Sequence, residues 1–117
     1  VSQIDIRPER KGSTLVTFGD SITEGVVSTP GAFRGYPDRL AERLQANPAT
    51  RGWTVVNAGI GSNRLLHDTP STNALSRFDR DVLSVPGVKA VATHGHTPGH
   101  IVYASAFDGR AISASTA

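Results

Sequence analysis

The sequence predicts an α/β fold in which a parallel sheet is followed by a C-terminal β-hairpin. Three short apolar runs rich in β-branched residues alternate with two segments of helical periodicity, an order typical of right-handed parallel α/β units. Further on, Asp108-Gly109 stands between two β-prone runs, which is the pattern of a two-residue hairpin turn. The architecture is therefore expected to change near residue 94.

The strands are predicted from runs that suit burial on both faces. They are "STLVTFG" (13–19), "WTVVNAG" (53–59) and "VKAVATH" (88–94). Residues 1–12 are polar and read as a segment leading into the domain, and 117 residues suffice for one core only. We expect residues 13–117 to form a single α/β domain, with 13–91 as the parallel part and 92–117 as a tail of different character.

Two helices are predicted between the strands. The first follows a glycine- and proline-rich loop, with Pro37 at an early helical position, and ends near Asn47. The second is expected to begin at Ser71 or Thr72 as its cap. One apolar stripe of this second helix is predicted to consist of Ala74, Leu75, Phe78, Val82 and Leu83.

The composition excludes several classes of function. Twelve basic and ten acidic side chains give a net charge of +2 without any long block of one sign, which does not favour nucleic acid as a partner. The absence of cysteine excludes disulfides, thiolate catalysis and cysteine-ligated zinc. No apolar run reaches the roughly 18 residues of a membrane span, and no secretion signal is evident. We expect a soluble protein, in a compartment that the sequence leaves open.

The ends of the first two strands carry the residues most suited to catalysis. Asp20 and Ser21 follow the first strand, where a serine could supply both a nucleophilic hydroxyl and a backbone N–H for an oxyanion. Gly59 ends the second strand and allows close approach of a ligand to the backbone. Asn63, in the loop beyond it, and Asp20 are predicted to support the site. Arg34 and Tyr36 could border the same crevice, although exposure of their loop to solvent explains them as well.

In these motifs, residues 13–91 resemble the SGNH (GDSL-type) hydrolases, a family of serine esterases, lipases and deacetylases with a flavodoxin-like three-layer fold. "GDS" at 19–21 is similar to the block with the nucleophilic serine, and "NAGIGSN" to the block whose glycine lines the oxyanion hole. The resemblance implies Ser21 as nucleophile and the N–H groups of Ser21 and Gly59 as oxyanion donors. It further implies a truncated version of the family fold.

The chain also departs from that family. It has no Gly-x-Asn-Asp block after the third strand, and no Asp lies three residues before a histidine. A serine without an aligned base is a poor nucleophile, so Ser21 could equally cap or hydrogen-bond the backbone of an inactive site. His67 is interpreted as a loop histidine bonded to Asp68 or to backbone, and the cluster 79–81 as a solvated charged face.

Three of the four histidines lie within "THGHTPGH" at 93–100. Residues 92–112 resemble the metallo-β-lactamase-fold hydrolases, whose "GHT" histidine is a metal ligand and corresponds here to His96. A join of two unrelated fragments would explain both resemblances. His94, His96 and His100 could hold zinc as a native site, could bind nickel or zinc adventitiously during purification, or could form a plain turn. No carboxylate stands nearby to orient the imidazoles, so we expect no native cofactor.

The same histidines offer another chemistry. The third strand should end at the edge where Ser21 lies, so His94 or His96 could act as the missing base. The favoured function is therefore a small serine esterase acting on short acyl esters. The alternatives are a non-catalytic truncated or chimeric α/β scaffold and, third, a metal-dependent hydrolase. Because a short parallel sheet leaves an edge unpaired, we also expect a homodimer, with or without exchanged hairpins.

Overall fold

The computed structural model describes residues 12–93 and, as a backbone strand, residues 104–106. The strands are β1 (Ser13–Gly19), β2 (Trp53–Gly59), β3 (Val88–Ala92) and β4 (Ala104–Ala106). The helices are α1 (Ser21–Glu24), α2 (Tyr36–Ala46) and α3 (Ala74–Phe78), the last continued by a π-helical turn, Asp79–Leu83. These elements confirm the α/β class and the order predicted for the first three strands.

The four strands form one sheet in the order β2-β1-β3-β4. β1 is central and pairs in parallel with β2, from Ser13 beside Trp53 to Gly19 beside Gly59. It also pairs in parallel with β3, where the register shifts once between Thr14 and Leu15. β4 runs antiparallel to β3. The sheet is thus compatible with a truncated flavodoxin-like fold, and the turn predicted at 108–109 lies outside the described residues.

The core lies between one face of the sheet and the segment that contains α3. It consists of Val16, Phe18, Ala74, Val82 and Val91, with Val56, Ala58, Phe78, Val85 and Val88 packed around it. Val16, Thr17 and Phe18 are all buried although they point alternately to the two faces of β1. The central strand is therefore covered on both faces, as its apolar sequence predicts.

The first crossover contains one helix more than predicted. α2 agrees with the predicted helix and ends one residue before its cap, Asn47. The segment after β1, expected as a loop, begins with the single turn of α1. This turn forms because the Asp20 side chain accepts a hydrogen bond from the Ile22 N–H, which satisfies a backbone donor at the helix start.

The helix of the second crossover differs from its prediction in its cap residue and in which of its side chains are buried. Asn73 is the cap, not Ser71 or Thr72, because its side chain accepts from the Ser76 N–H. Leu75 is 64% exposed and Leu83 46%. The interior position beside Ala74 is taken by Arg77, so the buried face lies to one side of the predicted stripe.

No helix among the described residues is long and apolar enough to cross a membrane.

Candidate active site

Ser21 lies at the end of the central strand, where the two crossovers diverge. β2 and β3 flank β1 on opposite sides, so the chain leaves β1 in one direction and later returns to its other side. In open parallel sheets such a switch point forms a crevice at the carboxyl ends of the strands, where ligands bind. The topology therefore places Ser21 at the edge expected for a functional site.

The turn that carries Ser21 is held by local hydrogen bonds. The Asp20 carboxylate accepts from the Ile22 N–H at 3.0 Å. The Ser21 carbonyl accepts from the N–H groups of Gly25 and Val26, each at 3.0 Å. Ser21 itself is partly exposed. Asp20 thus fixes the start of α1, and its predicted role in supporting the site stays a prediction.

Gly59 is required by the close packing of β2 against α1. A Cβ atom at this position would lie 2.2 Å from the Glu24 nitrogen and 2.5 Å from the Thr23 carbonyl carbon. Real Cβ atoms do not approach backbone so closely, so a larger residue would push α1 away from the sheet. The glycine therefore sets the distance between the end of β2 and the turn that carries Ser21.

The N–H of Gly59, predicted as an oxyanion donor, has an intramolecular acceptor in this structure. It donates to the Asn57 side-chain oxygen at 2.9 Å. Asn57 is exposed, so its side chain has room to rotate. The predicted role of Gly59 stays a prediction, and it requires Asn57 to turn away when substrate binds.

Tyr36 lies beside the same turn. Its hydroxyl shares a hydrogen bond of 3.4 Å with the hydroxyl of Thr23, which is fully buried in α1. Burial raises the pKa of the Tyr36 hydroxyl, the Thr23 hydrogen bond lowers it, and the Asp20 carboxylate raises it. The hydrogen bond to Thr23 places the Tyr36 hydroxyl beside α1, the turn that carries Ser21. Arg34 is exposed.

Arg77 is the residue that the sequence analysis missed. It is 1% exposed, and its guanidinium contacts the ends of β1 and β2. Its Nη2 donates to the Gly19 carbonyl at 2.9 Å, and its Nη1 donates to the Ala58 carbonyl at 2.8 Å. An arginine within a helical stripe of apolar residues was the available signal, but the sequence could not say that the side chain turns inward.

Asn63, predicted to support the site, contacts Arg77 at the ends of the strands. Its side-chain oxygen accepts from Arg77 Nε at 3.0 Å and from Nη2 at 2.8 Å. Its amide donates to the Thr72 carbonyl at 2.7 Å. Asn63 therefore links the loop after β2 to the start of α3 through the buried guanidinium. Its role in catalysis remains a prediction.

Of the candidate bases and metal ligands, His67 is the one that lies within the described residues. His67 is exposed. One oxygen of the Asp68 carboxylate, one of its expected partners, accepts from the Asn73 backbone and side chain at 2.9 and 2.8 Å. His94, His96 and His100 lie outside the described residues. Within 12–93, no group of three or more histidines and carboxylates could hold a metal ion.

One comparison with known proteins identifies a family. A family model described as GDSL-like lipase/acylhydrolase matches residues 17–95, which is most of the chain and includes Ser21, Gly59 and Asn63. No curated protein matches the chain. The segment predicted to resemble metallo-β-lactamase-fold proteins lies mostly beyond the match, and its origin stays a prediction. The serine turn, the parallel sheet and the family match together show that the chain belongs to the GDSL-like lipase/acylhydrolase family of hydrolases.

Proposed function

We propose that the protein is a serine hydrolase that acts on short acyl esters, with Ser21 as its nucleophile. The observation that carries the proposal is the position of Ser21, directly after the central strand at the switch point of the sheet and within the family match. A hydroxyl at that edge can reach a substrate in the crevice, while α1 and the glycine at 59 hold its backbone.

The reaction would proceed through an acyl-enzyme. The Ser21 oxygen bonds to the ester carbonyl carbon as a base takes its proton, and the tetrahedral intermediate then expels the alcohol, which receives that proton. Water attacks the acyl-enzyme in the same way and releases the acid. Backbone N–H groups of Ser21 and Gly59 would stabilise the oxyanion in both halves.

The base proposed for this reaction is His94 or His96. β3 ends at Ala92, which lies beside Thr17 of β1, so the chain leaves the sheet at the edge where the Ser21 turn begins. His94 is two residues beyond that point. Among residues 12–93 the single histidine is the exposed His67, and nothing in its position favours it as the base.

A serine-directed fluorophosphonate and a chromogenic acetate ester test the proposal. We expect the phosphonate to label Ser21, the ester to be hydrolysed, and both reactions to be lost in Ser21→Ala. Ser76→Ala, an exposed serine in α3, is the matched control and should behave as wild type. Loss of ester hydrolysis in His94→Ala or His96→Ala would identify the base. Hydrolysis that survives Ser21→Ala contradicts the assignment.

A non-catalytic scaffold is the second candidate, and the hydrogen bond from the Gly59 N–H to Asn57 favours it. If that bond persists, one predicted oxyanion donor is occupied, and loss of one such donor costs about 10²- to 10³-fold in rate. This candidate predicts no labelling and no turnover by wild type. Hydrolysis that a chelator abolishes, and that Ser21→Ala leaves intact, would instead favour a metal-dependent hydrolase using the histidine segment.

A further inference from the structure

We propose that Arg77 and Asn63 are a pair of positioning residues that fix the Ser21 turn relative to the loop after β2. The inference rests on the proposed function, because it assigns the pair a role in serine reactivity. Both residues contact the backbone around the site, so we assign them the role of positioning that backbone and not of contacting substrate.

The guanidinium of Arg77 uses all five of its N–H groups. The Nε hydrogen goes to Asn63, the two Nη1 hydrogens to Ala58 and Asp81, and the two Nη2 hydrogens to Gly19 and Asn63. These bonds are 2.8 to 3.0 Å long. Its central carbon lies 4.2 Å from the centroid of the Phe18 ring. A planar fork is needed to reach so many acceptors at once, and lysine does not provide one.

Two of those acceptors belong to the strand ends that form the site. The Gly19 carbonyl stands two residues before Ser21, and it also accepts from the Ile60 N–H at 3.1 Å. The Ala58 carbonyl stands one residue before Gly59. The guanidinium therefore ties the end of β1 to the end of β2 at the point where the nucleophile and the predicted oxyanion donor emerge.

Asn63 extends this connection into the loop. The Asn63 N–H donates to the Ile60 carbonyl at 3.1 Å, which closes a turn over residues 60–63. Ser62 in this turn has a φ of +59°, as the third position of a type II turn requires. The two bonds from Arg77 to the Asn63 side chain hold the turn in place, so loss of either residue should release the same loop.

The burial of Arg77 indicates that the arginine is there to position the strand ends and not to stabilise the core. A fully buried charge is costly to desolvate, and its single carboxylate neighbour in this network, Asp81, lies on the same helical segment. An apolar side chain could fill this space and stabilise the core at lower cost. The arginine instead aligns two strand ends, and misplacement of a catalytic group by about 1 Å can lower a rate by 10²-fold.

The test compares Arg77→Lys, Asn63→Ala and the double variant with Arg80→Lys as matched control. Arg80 lies on the same helical segment and bonds to the same Asp81, but its side chain is 68% exposed. Phosphonate labelling of Ser21 and kcat for the acetate ester should fall about 10- to 100-fold in each single variant, with KM within about twofold of wild type. The double variant should react no more slowly than the slower single one, because the two residues act as a unit.

Circular dichroism must show each variant folded at the assay temperature, and Asn63→Ala carries the test if Arg77→Lys does not fold. Folded variants with unchanged kcat, effects on KM alone, or multiplicative losses in the double variant would overturn the positioning role while leaving the proposed function intact. A wild type that neither reacts with the phosphonate nor hydrolyses the ester would overturn both. Arg80→Lys losing as much activity as Arg77→Lys would also overturn the inference.

Discussion

At the scale of single residues, Gly59 shows how a backbone contact determines a residue type. Its Cα lies against the backbone of α1 so closely that an alanine Cβ would overlap the Glu24 nitrogen. Because neither strand end nor helix turn can move without breaking other contacts, we expect Gly59→Ala to lower the free energy of unfolding by about 2–3 kcal/mol. Urea unfolding followed by circular dichroism measures this change.

The matched control is Gly52→Ala. No atom beyond the neighbouring residues lies within 4 Å of a Cβ at residue 52, and its φ is not in the left-handed region. We expect this variant to stay within about 0.5 kcal/mol of wild type. Equal effects of the two substitutions would show that the packing of α1 against β2 does not explain the glycine at 59.

The candidate site was only partly predictable from the sequence. Ser21 and Gly59 could be placed at one sheet edge because glycine-bounded apolar runs identify the ends of parallel strands. Arg77 could not be found, since a charged residue ordinarily lies in solvent and nothing in the spacing reveals four acceptors for it in the interior. The hydrogen bond from the Gly59 N–H to Asn57 could not be predicted either, because it depends on the rotamer of the Asn57 side chain.

At the scale of elements, the helical segment after residue 73 shows where helical periodicity predicts the buried side chains incorrectly. Ala74, Phe78 and Val82 follow the predicted stripe, and Ala74 and Val82 are buried. Leu75 and Leu83 are exposed because Arg77 and Asp81 occupy the flank of the buried face, and because the last turn widens to a π-helix. The strands were predicted more closely, since burial of β1 on both faces leaves little choice of register.

The same segment predicts a dependence of stability on pH. Hydrogen bonds from Arg80 and Arg77 lower the pKa of Asp81, against the opposing effect of burial. A carboxyl whose pKa is lower in the folded than in the unfolded state stabilises the fold above its unfolded pKa of about 4, and this contribution is lost as pH falls through the folded pKa. We therefore expect Asp81→Asn to destabilise the protein near neutral pH.

The measurement is urea unfolding of wild type and Asp81→Asn at a series of pH values. The difference between the two proteins should be largest at pH values well above 4 and should shrink as the pH falls through the folded pKa of Asp81. A difference that stays constant over the whole range would mean that the ionised carboxylate does not contribute, and that the variant acts only through packing.

At the scale of the whole molecule, one edge of the sheet predicts association. β1 and β3 are each paired on two sides, whereas β2 forms one edge of the sheet. In the part of the chain that the structure describes, no strand pairs with the outer side of β2. Unpaired edges favour pairing with another chain unless charge or proline blocks them. β2, "WTVVNAG", contains neither.

We therefore expect a homodimer at micromolar concentration, measured by size-exclusion chromatography with light scattering. Thr54→Lys places a charge on an exposed residue of β2 and should shift the protein toward monomer if the edges pair. Ala49→Lys adds the same charge in the exposed turn before the strand and should leave the dimer intact. A dimer that persists in Thr54→Lys would point to exchanged C-terminal hairpins instead, and a monomeric wild type would show that the β2 edge is tolerated without a partner.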